Sequence, residues 1–471
     1  MRQSFEEDRP ARIIRDKKIP QLEKLTSPEE FTRAFEEFCR REYPNLGLKV
    51  KKSYISHVYH KPGKSCRMNI FIAGKDRERR TFERLFYAKI SAKGSDRQSE
   101  AETFPEAWPG CGFWKPVMRW PEMNMLLQAF PYDPAMPYLG QLLEPEVVRR
   151  RVDANLSGFR LPAGWKCEDV IIHSAKYRNG KSCTLRYEAT LVGPATQRKQ
   201  IAFYGKTYAS PRSQHVYRAL QKIYASPASA SGRLNIPALI AHLDDANTMW
   251  QHAWEGSNFS KVGEEMGWAN LPYSGYIPKI ANIMAALHQV EMPELTSGPS
   301  LASVIEQAGE YASDIVEYLP EKVAVLENIT KKLKAAAPNL GKLPRTTIHG
   351  TFKVAQILCH EDQLALVDFD SIACGDPLYD VAEFLASIVY LRLSDDIPAA
   401  PVSECIESFL SHYQEQVPWP CERRRVAWYL VAFLLAKIHS SLKRARTLGD
   451  KRAALTFDLV EEWLEIVKRT N

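Results

Sequence analysis

Across the first half of the chain, apolar and polar positions alternate with a period of two. Leu185, Tyr187 and Ala189 interleave with Arg186, Glu188 and Thr190, which predicts a half-buried strand. The stretches 53–59 and 171–177 run into Pro62-Gly63 and Asn179-Gly180, and both dipeptides favour tight turns. Each therefore predicts a strand, a turn and a returning strand. The tetrapeptide Gly-Lys-Ser-Cys occupies 63–66 and again 180–183, an offset of 117. Phe-Tyr-Ala-Lys and Phe-Tyr-Gly-Lys end at Lys89 and Lys206, in the same register. Two motifs sharing one offset predict a duplicated β-rich unit of about 90 residues. In each copy a helical stretch, a proline (Pro116, Pro237) and a last strand at 124–128 or 247–251 follow.

The pattern then changes to helical spacing. Apolar positions predict helices over 276–290, 301–337, 378–392 and 422–446, and a charged connecting helix over 143–155. Two short strand-like runs interrupt them, near 357–358 and 364–369. The expected order is a β-rich module, a second β-rich module and a helical domain, divided as 1–155, 156–265 and 266–471.

Composition narrows the function classes. With 45% hydrophobic and 25% charged residues in 471, the chain has the usage of a folded globular protein. No apolar run approaches the ~20 residues of a membrane span, and the N-terminus is charged without an apolar signal core. A cytoplasmic location without membrane attachment is the expectation. Nine cysteines without a CxxC pair read as buried thiols rather than a zinc site or disulfide framework. A net charge of +7 spread over this length does not point to nucleic acid.

The chemistry is concentrated in Thr-Thr-Ile-His-Gly-Thr-Phe-Lys-Val-Ala-Gln, Val-Asp-Phe-Asp and Gly-Asp-Pro-Leu-Tyr-Asp, which contain His349, Thr351, Lys353, Gln356, Asp368, Asp370, Asp376 and Asp380. A loop bounded by strands, followed about a dozen residues later by an aspartate, suits phosphoryl transfer, which needs a cation near the γ-phosphate and oxygen ligands for Mg²⁺. The Gly-Lys-Ser turns lack the first glycine of a P-loop, with Val58 and Ala175 in its place, and lie in hairpins rather than before helices.

These residues resemble the aminoglycoside phosphotransferase (choline kinase-like) family, whose loop runs His-Gly-Asp, four residues, Asn, before Asp-Phe-Asp/Glu and Gly-Asp-Pro-x-x-Asp. The match comprises His349, Gly350, Asp368, Phe369, Asp370, Gly375, Asp376, Pro377 and Asp380. The resemblance implies an α+β, bilobal protein-kinase-like fold, with an antiparallel-sheet N-lobe, a mainly helical C-lobe and an additional N-lobe-like module in front. The nucleotide would lie between the second β-rich module and the helical domain. It implies ATP and Mg²⁺ as cofactors and a hydroxyl of a small molecule as acceptor. Lys206, Lys181, Gly180 and Gln251 would bind the nucleotide. Asp368, Gln356 and Asp370 would hold the metal. Thr351, Lys353 and Asp368 would form the catalytic set, with Asp380 bonding the loop backbone and His349 structural.

Two departures stand out: Thr351 replaces the family's aspartate, and Gln356 its asparagine. A threonine is no base at neutral pH, and positioned base catalysis is typically worth ~10²–10⁴ in rate. A pseudokinase, binding nucleotide or serving as a scaffold with the N-terminal module as a protein-docking surface, is therefore the alternative expectation.

Overall fold

In the computed structural model, residues 13–92, 104–267, 273–391, 393, 399–444 and 449–468 are described. Two compact units result. The first comprises 1–213, 240–252 and 443–449, and the second 214–239, 253–442 and 450–471.

The first unit holds both predicted β-rich repeats as antiparallel sheets. Strands β1 (Lys49–Lys61), β2 (Ser65–Lys75), β3 (Thr81–Ser91), β4 (Val117–Trp120) and β5 (Met125–Ala129) form one sheet in the order β1-β2-β3-β5-β4. Strands β6 (Lys166–Arg178), β7 (Ser182–Val192), β8 (Arg198–Tyr208), β9 (Leu239–Leu243) and β10 (Thr248–His252) form the other, in the order β6-β7-β8-β10-β9. The bounds of β1–β3 and β6–β8 repeat at the sequence offset of 117. The last strands begin one residue later than expected, because Asn124 and Asn247 take left-handed turn conformations (φ 44° and 45°).

The duplication extends further upstream than the motifs indicate. Gly63 and Gly180, both at φ 64°, close the two hairpin turns, where a residue without Cβ costs least. Asp16 accepts the Gly63 N–H at 2.7 Å, and Asp133, 117 positions on, accepts that of Gly180 at 2.8 Å. His60 faces Asp16, and its counterpart Tyr177 donates to Asp133.

Helices α1 (Gln21–Leu25) and α2 (Pro28–Glu42) cover the first sheet. Helix α2 begins on Pro28 and buries Phe31, Phe35 and Phe38 against Trp114 and Trp120. At about 1.5–3 kcal/mol per buried side chain, this stripe holds the helix down. Helix α3 (Pro145–Asp153), within the predicted connector, puts Val148 and Val152 into one apolar cluster with Leu185, Tyr187 and Trp250 of the second sheet.

After β8 the chain forms α4 (Arg212–Tyr224), the predicted helical stretch of the second copy. In the first copy, residues 104–116 carry no helix, and 93–103 lie outside the described residues.

The second unit is mainly helical: the short α5 (Pro227–Ala230), then α6 (Phe259–Met266), α7 (Tyr273–His288), α8 (Leu301–Val316), α9 (Val323–Ala336), α10 (Pro377–Leu391), α11 (Ala399–Gln416), α12 (Arg423–Lys443) and α13 (Gly449–Lys468). The single long helix expected over 301–337 is two helices, because Pro320 opens a separate 3₁₀ turn between them. Short strands β11 (Ser257–Asn258), β13 (Ile357–His360) and β14 (Gln363–Leu366) form one small sheet. β12 (Thr346–Ile348) pairs with β15 (Ala373–Gly375). β12 and β15 have no alternation long enough to read from the sequence. The α+β class is as expected, all nine cysteines are free, and no helix among the described residues is long and apolar enough to cross a membrane.

Candidate active site

Pairing of Ile348 with Ala373 brings the loop after β12 beside the turn after β14. The approach is so close at Gly350 (φ 76°) that a Cβ there would lie 2.2 Å from the Ser371 carbonyl oxygen. Asp380, fully buried in the first turn of α10, fixes the loop from below. Its carboxylate accepts the His349 N–H at 2.6 Å and the Gly350 N–H at 2.9 Å, and lies 3.2 Å from His288 Nε2. Asp376 in turn accepts from Arg425 Nε at 2.6 Å and the Tyr429 hydroxyl at 2.8 Å, tying the start of α10 to α12.

His349 is buried, with Nε2 3.0 Å from the Val367 carbonyl oxygen. A carbonyl only accepts, so Nε2 carries the proton. Burial pushes the imidazole pKa down, against the pull of Asp380, the Val367 carbonyl, Asp368 and Asp370, so the ring is neutral near pH 7. Its Nδ1 is then the acceptor facing the Thr351 hydroxyl at 3.4 Å.

Lys353 forms an ion pair with Glu383 of α10 at 2.8 Å. Glu383 is 4% exposed, its Oε2 has no hydrogen-bond partner, and burial raises its pKa to about 7 even though Lys353 opposes the shift. This carboxylate was missed in the sequence. In Asp-Val-Ala-Glu-Phe-Leu-Ala an acid reads as the solvent face of a helix, and only the burial of α10 on every side shows otherwise.

Gln356 and Asp368 are positioned by one backbone bond: the Val367 N–H donates to the Gln356 carbonyl oxygen at 3.0 Å. The side-chain Oε1 of Gln356 is buried without a partner. Asp368 sits in the left-handed region (φ 70°, ψ 51°), a conformation that costs energy and gathers at functional sites. Asp370 lies two residues on, in a 3₁₀ turn. An amide oxygen and two carboxylates are donors of the kind Mg²⁺ takes, since that ion completes its shell with water and phosphate. Among the described residues there is no cluster of three or more His, Cys, Asp or Glu of metal-binding geometry.

The structure thus gathers Thr351, Lys353, Gln356, Asp368 and Asp370 in the second unit. The remaining candidates lie on the second sheet of the first unit. Lys206 of β8 stands opposite Met249 in register, with its ammonium 5.5 Å from the Tyr208 ring centroid. Gln251 pairs with Tyr204. Gly180 lies in the turn expected over the nucleotide, and its N–H is engaged by the Asp133 carboxylate. Lys181 follows it in the turn, its N–H donating to the Arg178 carbonyl.

Residues 210–414 match the phosphotransferase enzyme family. The resemblance carried by the loop motifs is thereby found over that stretch, which includes every candidate of the second unit and Gln251 but begins after Lys206. Solved structures similar to the chain include a thermostable mutant of an aminoglycoside phosphotransferase in a ternary complex with AMP-PNP and hygromycin B, at 16% identity over 65% of this chain and 96% of that one, TM-score 0.42. Another is the choline kinase LicA from Streptococcus pneumoniae, at 14% identity over 68% of this chain and 98% of that one, TM-score 0.40. A choline/ethanolamine kinase family protein from Mesorhizobium loti shows 14% identity over 60% of this chain and 89% of that one, TM-score 0.37. No curated protein matches the sequence.

Proposed function

We propose that this phosphotransferase-family chain moves the γ-phosphoryl group of ATP, with Mg²⁺, to a hydroxyl of a small molecule. The observation that carries the reading is the partnerless, buried Oε1 of Gln356, a residue whose backbone carbonyl holds Val367, next in the chain to the left-handed Asp368. Asp368, Gln356 and Asp370 would hold the metal, which neutralises phosphate charge when bound. Lys206 and Lys181 are assigned to the nucleotide phosphates, and the strand of Gln251 to the base.

Lys353 supplies a positive charge to the transferring group, held in place by Glu383. The Thr351 hydroxyl orients the acceptor, its own proton directed at the neutral His349. Phosphoryl transfer depends mainly on positioning and electrostatics, so a loop without a carboxylate at position 351 retains most of what the reaction needs. Calorimetric titration with ATP tests the reading. Tightening by Mg²⁺ that Asp368→Ala weakens at least about tenfold is expected, and a Mg²⁺ effect that survives this substitution contradicts it.

One observation favours a second reading, a nucleotide-binding protein without turnover: His349 and Thr351 are both neutral where the family has its base. Thr351→Asp separates the two. A gain in turnover means the base was lost, whereas a loss means the threonine has its own role.

A further inference from the structure

We infer that the N-terminal module carries a second binding site, for a small aromatic anion, in the cavity at the β2–β3 end of the first sheet. The cavity measures about 810 Å³ and is lined by Lys51, Lys75, Phe82, Arg84, Phe113 and Trp114, among others. That is within the size range of drug-sized ligand pockets. Its rings form one wall: Phe82 stands edge-on to Trp114 at 5.7 Å and to Phe113 at 6.1 Å, and Phe113 is 40% exposed.

Of the polar side chains on the walls, Lys51, Lys75, Arg84 and Trp114 only donate, whereas Thr81 and Glu83 can accept. Trp114 is 2% exposed, yet its Nε1–H is buried with no partner. Arg84 gives Nη1 to the carbonyl oxygens of Gly110 and Phe130, both at 2.8 Å, and its buried Nε–H has no partner. Burial pushes the Arg84 pKa down, as expected of a guanidinium facing neutral carbonyls instead of an anion. Lys51 and Lys75 make no ion pair among the described residues, and the acid on the wall, Glu83, is exposed. Buried donors in folded proteins are nearly always satisfied; two of the lining residues, Trp114 and Arg84, each hold back one, and a wall that also carries three cations beside aromatic rings suits an anion.

The duplication supplies an internal control. The positions 117 residues on from Lys51, Lys75, Phe82 and Arg84 are Glu168, Val192, Lys199 and Ile201. In the second sheet Glu168 pairs with Arg198 at 2.8 Å. The backbone is repeated but the donor set is not, so this chemistry belongs to the first copy and not to the architecture. The ligand class that fits is a planar aromatic or heteroaromatic body bearing a carboxylate or phosphate.

The test titrates the full chain calorimetrically with 2-naphthoate, 2-naphthamide and inorganic phosphate, in the presence and absence of excess ATP. Saturable 1:1 binding of naphthoate is expected, with the uncharged amide and the surface variant Lys51→Gln/Lys75→Gln each at least about tenfold weaker. Excess ATP is expected to leave naphthoate binding unchanged, and inorganic phosphate alone not to displace it. Absence of saturable binding, equal affinity for acid and amide, an unaffected double variant, or displacement by ATP or by phosphate would each overturn the inference. The thermal midpoint of the double variant, expected to match wild type, shows that any loss is not unfolding.

Discussion

Asp380 is the residue on which the loop geometry depends, because one buried carboxylate satisfies two successive backbone N–H groups. Asp380→Ala leaves both donors buried and unpaired, at about 1–3 kcal/mol each. A fall of about 2–6 kcal/mol in unfolding free energy is expected by urea denaturation, and a change below 1 kcal/mol would show that water replaces the carboxylate. Its role was legible, since the Gly-Asp-Pro-x-x-Asp spacing that marks a loop-bonding aspartate is in the sequence.

Glu383 was not legible, and it carries a pH signature. Its folded pKa, about 7, lies above the ordinary 4.5, so the folded state binds the extra proton between these values. Stability is full below about pH 4.5 and is lost as pH rises through 7. His349 acts in the opposite sense, its lowered pKa removing stability as pH falls below 6.5. The comparison with Glu383→Gln isolates the acid. Wild type is expected to lose stability relative to this variant from about pH 4.5 to pH 7, with a plateau above. A thermal-shift series giving a constant difference would contradict the burial of a titrating carboxylate.

At the scale of elements, the repeat was the most readable feature, because strand period, turn dipeptides and a fixed offset agree with one another. The structure adds what lay in the same register unnoticed: Asp16 and Asp133, isolated acids in segments without periodicity, cap the two hairpin turns. Asp133→Ala removes the acceptor for the Gly180 N–H, the Tyr177 hydroxyl and the Ala135 N–H. Since Asp133 is 1% exposed, a loss of about 2–4 kcal/mol is expected, with Asp133→Asn intermediate. Equal stability of the alanine and asparagine variants would mean the side-chain oxygens do not hold the turn. Longer-range pairings such as β12 with β15 were illegible for a physical reason: three-residue strands have no period to read, and only the fold brings them together.

At the scale of the whole molecule, the apolar pattern suggested three blocks, with a boundary after residue 155. Contacts join the β-rich repeats into one unit, and Phe130, Leu139, Val148 and Val152 lie in the same apolar cluster as the second sheet. A fragment beginning at 156 lacks these side chains and the Asp133 cap. It is expected to be poorly folded by circular dichroism and proteolysis, whereas one beginning at 130 retains its second sheet. Equal behaviour of the two fragments would show that the shared cluster contributes little.

A chain whose loop reads His-Gly-Thr is proposed to transfer phosphate. The direct measurement is ³¹P NMR of the full-length protein with ATP, Mg²⁺ and a panel of small hydroxyl compounds. A new phosphate ester is expected that forms with wild type, falls at least about a hundredfold with Lys353→Met and is lost with Asp368→Ala. Acceptor-dependent turnover no greater than that of Asp368→Ala, across the panel, would contradict it.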